Sequence, residues 1–197
     1  MAWVAGLLAL SLAAAACGRD RSGGPKGAPD DVVHAAPDIT THQRSARVTV
    51  DTPTATSAGT IVFPATQQVR VNGAGASEEL GDPVSVLDLV RGAVDIVPYG
   101  GAEVRGASTI RYSFDVDLDV AALHAPTAAA RARIEQAKAA LGRPTFYADV
   151  WVDSAGRVRR VQVPVDRRDK RPGYKDVVLE RLVTVDFYDY NRTEGKG

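Results

Sequence analysis

Cysteine is almost missing from this chain: its 197 residues contain one, Cys17. A domain with a single cysteine cannot close an internal disulfide, so the fold must stand on its core alone. Excess charge of either sign is missing too, with Lys plus Arg at 24 and Asp plus Glu at 24. That balance removes the electrostatic footprint of nucleic-acid binders, and no nucleic-acid partner is expected. No apolar run reaches the roughly 20 residues that a membrane-spanning helix needs. The three histidines, His34, His42 and His124, are scattered without ligand spacing, which argues against a metal centre. Asp115, Asp117 and Asp119 imitate a calcium loop. However, Val116 and Leu118 between them belong to a strand pattern, and no glycine or distal glutamate completes the motif. A Ser-His-Asp set, a carboxylate dyad and a glycine-rich phosphate loop are all missing, so neither catalysis nor a cofactor is expected.

What the chain does have begins at its N-terminus. Residues 2–16 (AWVAGLLALSLAAAA) are uncharged and apolar apart from Ser11. At about 15 residues this is the length of a signal-peptide apolar region rather than of a membrane span. It closes on Ala14, Ala15 and Ala16, directly before Cys17 and Gly18. Small residues ahead of a cysteine resemble the bacterial lipobox, in which the thiol is alkylated with diacylglycerol before cleavage. Ala14 stands where that motif usually has leucine. The resemblance implies a lipoprotein signal peptide over 1–16 and lipid attachment (palmitate among the acyl chains) at Cys17. The diacylglyceryl-cysteine would anchor the protein to the cell membrane on its extracytoplasmic side. No Lys or Arg precedes Arg19, and signal peptides normally carry basic residues ahead of the apolar region, so a translation start upstream of Met1 is expected.

Residues 17–40 are rich in Gly, Pro and charge and lack apolar periodicity, which predicts a lipidated flexible tether. The folded domain is expected over 41–191, followed by a disordered tail at 192–197. Within the domain, residues 44–50, 59–63 and 68–71 read as short strands punctuated by Pro53, Pro64 and Asn72-Gly73. Asp82-Pro83 opens a helix that carries Val86, Leu87 and Val90 on one face. The clearest strand is STIRYSFDVDLD at 108–119. Ile110, Tyr112, Phe114, Val116 and Leu118 alternate with Arg111, Ser113, Asp115 and Asp117, so one side is buried and the other wet. A helix at 127–141 bears a small stripe of Ala130, Ile134, Ala137 and Leu141. A hairpin at 146–152 and 158–165 and a long last strand at 176–190 complete the order. Strands joined by turns with single helices between them predict an α+β fold, an antiparallel sheet with two helices on its concave face.

Four segments carry a family resemblance: DPVSVLDLVRG; GGAEVRGASTIRYSFDVDLD with the Ala-rich helix after it; FYADVWVDSAGRVRRVQV; and the closing VTVDFYDYN. With the lipobox, residues 82–190 resemble the LppX/LprA/LprF/LprG group of actinobacterial envelope lipoproteins, with the stretch before Asp82 shorter than in the family. The resemblance implies a curved, LolA-like half-barrel over helices and a cavity that holds a lipid or glycolipid. If there is such a cavity, geometry selects its lining. Ile110, Tyr112, Phe114 and Val116 form the longest one-faced row, and Ala130, Ile134 and Ala137 are the small helical stripe beside it. The alternative is a non-enzymatic lipoprotein with a filled core that binds an envelope protein partner. The dense basic run Arg157, Arg159, Arg160, Arg167, Arg168, Lys170 and Arg171 is expected to be a solvated hairpin edge, with contact to lipid headgroups as the second reading.

Overall fold

The computed structural model describes residues 24–53, 55–63, 70–72, 83–141, 144–168 and 178–192. The expected signal segment 1–16, Cys17, Lys170, Arg171 and the expected tail from 193 onward lie outside the described residues. In chain order the elements are α1 (Pro29–Thr41), β1 (Ser45–Asp51), β2 (Thr56–Val62), β3 (Arg70–Asn72), α2 (Pro83–Val90), β4 (Ala93–Val104) and β5 (Ala107–Asp117). There follow α3 (Leu118–Leu123), α4 (Ala128–Leu141), β6 (Thr145–Asp153), β7 (Val158–Arg168) and β8 (Val178–Tyr188).

Among the described residues, eight strands form one antiparallel sheet in the order β3-β2-β1-β8-β7-β6-β5-β4. Two meanders, β1 to β3 and β4 to β8, are joined where β1 pairs with β8, with Val48 opposite Phe187 and Val50 opposite Val185. Asn191 fastens the end of this seam. Its side chain accepts from the Arg44 amide at 2.7 Å and donates to Gln43, and its amide donates to the Ser45 carbonyl. The sheet is open and curved. Arg105, in the turn between β4 and β5, reaches Asp186 on β8 at 2.9 Å, although β6 and β7 lie between. A flat sheet with strands about 4.8 Å apart could not bring them together.

One face is apolar. Val48, Val50, Tyr112, Phe114, Val116, Ala148, Val150, Val161, Val185 and Phe187 are buried there in one core with Val33, Val86, Leu87, Leu118 and Ile134 from the helices. The expected α+β fold is the one observed, with four helices over that face instead of two.

The two additional helices correct the sequence reading. α1 occupies residues assigned to the tether, and the folded body starts about twelve residues earlier than expected. Pro29 sits in its first turn and Asp30 and Asp31 suit the positive end of its dipole, while Val32, Val33, Ala36, Pro37 and Thr40 are buried. Tertiary burial outweighs weak propensity here, even though Pro37 cannot donate a helical bond to Val33. α3 replaces the end of the long strand, so Leu118 opens a helix instead of closing the alternating row. Asp117, expected on a solvated strand face, caps α3 and accepts from the amides of Asp119 at 2.8 Å and Val120 at 3.1 Å.

Candidate functional site

Strand β5 presents the expected row. Tyr112, Phe114 and Val116 are buried in the core, and Ile110 is half-buried at the hairpin end. Burial pushes the Tyr112 hydroxyl above its ordinary pKa. The other side of β5 is polar but only partly wet: Asp115 is exposed, while Thr109 and Ser113 are buried.

The helical stripe is present and is turned chiefly toward other helices. Ala130 and Ile134 are buried and Ala137 half-buried, and α4 packs chiefly on α2 and α3. α1 lies across β4, β6 and β7, and α3 continues directly from the end of β5. The seven residues therefore fall in two tiers, the β5 row on the sheet and the α4 stripe among the helices, with Ile134 in the same core as the row. Periodicity reveals that a helix has an apolar side, not what that side touches.

An ionic cluster ties the tiers together. Asp88 of α2 is buried and accepts from Arg133 of α4 at 2.6 Å. Arg91, just after α2, lies 3.7 Å from Asp88 and pairs with Asp38 of α1 at 2.8 Å. These charges sit on three different helices, so no local sequence pattern announces the cluster.

The N-terminal approach to α1 reaches the same site. Gly24 packs so closely on Ile110 that a Cβ built on it would lie 2.9 Å from Ile110 Cδ1 and nearer still to Cγ1. Gly27, with φ +135°, turns the chain into α1 in a conformation that favours glycine. Sequence reasoning missed this contact because a glycine carries no apolar signal.

The outer face of the sheet accounts for part of the basic run. Arg157 and Arg159 converge on Asp153 at 2.8 and 2.7 Å. Arg160 and Arg105 converge on Asp186 at 2.6 and 2.9 Å. Burial alone would raise both carboxylates, but hydrogen bonds and charge from these arginines outweigh it and hold Asp153 and Asp186 below the usual carboxylate range. Tyr190 lies between Arg157 and Arg159, each 5.0 Å from its ring, and donates to the Val158 carbonyl. Arg111 pairs with Asp149 at 2.8 Å and stacks between Tyr99 and Trp151. Arg157, Arg159 and Arg160 are therefore half-buried partners of internal carboxylates, not the freely solvated edge expected of them. This pairing leaves them poorly placed to hold lipid headgroups.

His34 and His124, far apart in sequence, meet edge-on with ring centroids 6.4 Å apart. Among the described residues, no group of three or more His, Cys, Asp and Glu is placed to hold a metal ion, and no helix is long and apolar enough to cross a membrane.

No family model matches the chain, and no curated protein matches it. Among solved structures it is similar to LprF from Mycobacterium bovis, at 14% identity and a TM-score of 0.46 over 87% of this chain and 96% of that one. It is also similar to the Mycobacterium tuberculosis lipoprotein LppX, at 13% identity and a TM-score of 0.49 over 84% of this chain and 98% of that one. Both belong to the group that the sequence resembles. The fold assignment itself rests on the strand order and register described above.

Proposed function

We propose that this chain is a membrane-anchored envelope lipoprotein that binds a lipid or other hydrophobic ligand between its sheet and its helical layer. Cys17 carries the anchor, and the residues that follow it tether the body to the membrane. The observation that supports ligand binding is the two-tier cover of the apolar face. α1 makes the main helix contacts with the strands, on β4, β6 and β7, whereas α2, α3 and α4 pack chiefly on other helices. An acyl chain needs only to part this helical layer from the sheet to reach a continuous apolar surface along the β5 row. The reading involves no catalytic step.

A second reading, a filled-core lipoprotein that binds an envelope protein partner, is favoured by the core itself. Phe114, Val116, Val150 and Phe187 are each at most 2% exposed within one contiguous cluster. Native mass spectrometry of the purified chain separates the two. Co-purified lipid of defined mass is expected, and protein free of lipid from every expression host would reject ligand binding. The anchor is tested separately by labelling cells with an alkyne fatty acid. Wild type should be labelled and Cys17→Ala should not, and equal labelling of the two would remove Cys17 from its role.

A further inference from the structure

The residue at the open end of the apolar row is already covered by the chain's own N-terminal segment. Ile110 is the member of the row nearest the β4–β5 turn and is half-buried where Tyr112, Phe114 and Val116 are buried. Gly24 lies directly on it, closer than any residue with a side chain could. Among the described residues, no hydrogen bond holds positions 24–27; the first that ties the segment to α1 runs from the Val32 amide to the Ala28 carbonyl. Gly24 and Pro25 are half-buried, while Lys26, Gly27 and Ala28 are exposed. The segment thus covers an apolar side chain while being held by little, and it runs straight into α1, the helix lying across β4, β6 and β7.

We propose that residues 24–28 act as an internal competitor for the ligand site: they are seated on Ile110 when the site is empty and lifted off when an acyl chain enters along β5. This rests on the lipid-binding reading above. Because the segment joins the tether to α1, its release would change how the body hangs from the membrane, so loading and tether position are coupled. Glycine is required at position 24 by this seat and not by backbone conformation.

The geometry supplies its own test. A Cβ on Gly24 would lie 3.7 Å from Ile110 Cβ, within the 3.5–4.5 Å span of a disulfide, and the crowding Ile110 carbons vanish on substitution by cysteine. The full chain carrying Gly24→Cys and Ile110→Cys, with Cys17→Ser to remove the third thiol, should form this bond under mild oxidation. The probe is cis-parinaric acid, a fluorescent long-chain fatty acid. Saturating probe should slow bond formation about tenfold, and the oxidised protein should bind probe about tenfold more weakly than the reduced one. In a second variant, Gly24→Phe, the seat is lost and probe affinity should rise. Failure of the bond to form, or formation at a rate that bound probe does not change, overturns the competition and leaves lipid binding intact. Failure of the probe to bind the reduced chain and the wild type overturns lipid binding, and the competition falls with it.

Discussion

At the scale of single residues, the buried carboxylates of the outer face are the groups whose chemistry has a measurable consequence. Asp186 is 1% exposed and holds Arg160 and Arg105, so two strands and a hairpin turn meet at one side chain. Its folded-state pKa is depressed, as is that of Asp153. A depressed carboxylate stabilises the fold above its unfolded-state pKa, near 3.9, and that contribution is lost as pH falls through the folded-state value. Stability should therefore be nearly level from neutral pH down to about pH 5 and fall steeply below about pH 4. Asp186→Asn leaves the two arginines facing a neutral amide. It should cost about 2–3 kcal/mol at neutral pH, less than a fully buried pair because both arginines are partly exposed. The variant should also lose part of the acid slope. Urea unfolding of both proteins across this pH range checks each point, and an unchanged slope in Asp186→Asn would show that the depressed pKa lies elsewhere.

At the scale of elements, α1 is the test case. If residues 29–41 were tether, Val33→Asp would change stability by no more than about 0.5 kcal/mol, as surface substitutions do. Val33 is 0% exposed. The substitution should therefore cost more than about 3 kcal/mol, because it buries a carboxylate with no partner. Denaturant midpoints at unchanged m-value would report it, and a near-neutral effect would return α1 to the tether. The same element marks where sequence reading stops. β5 was legible because one of its faces is apolar and is buried from Tyr112 to Val116, and α2 was legible from Asp82-Pro83 and its apolar spacing. α1 was not, because Pro29, Pro37 and four aspartate or histidine side chains dilute an apolar stripe of only a few residues. β4 was missed for a different reason. It is an edge strand, its ladder shifts register between Val94 and Val97 and between Pro98 and Gly100, and most of its residues are exposed. Such breaks erase period two while protecting the edge from pairing with another chain. For the candidate site, the β5 row could be found from alternation, whereas the partner of the α4 stripe and the seat of Gly24 depend on contacts across the fold.

At the scale of the whole molecule, the question is whether sheet and helices behave as one cooperative unit. Opening of part of a domain requires a boundary crossed by few buried contacts. The helix-to-sheet boundary has that character, since α2, α3 and α4 pack chiefly on one another and α1 makes most of the helix contacts with the strands. The ladders β5–β6 and β7–β8 are instead long and continuous, as in the run from Thr109 opposite Asp153 to Asp117 opposite Thr145. A ligand-binding protein of this design should show amides of α2, α3 and α4 exchanging through an opening that leaves β6 to β8 protected. Adding a long-chain fatty acid should change protection in α1, α3 and β5, while the β1–β2 ladder stays as it was. A filled core predicts the reverse: helices and strands exchange together at the global unfolding free energy, and fatty acid changes neither. Hydrogen-exchange mass spectrometry with and without the fatty acid distinguishes these outcomes element by element. Uniform exchange would move the functional site off the apolar face and onto the exposed surface, where Tyr99, Val97 and Tyr147 stand along β4 and β6.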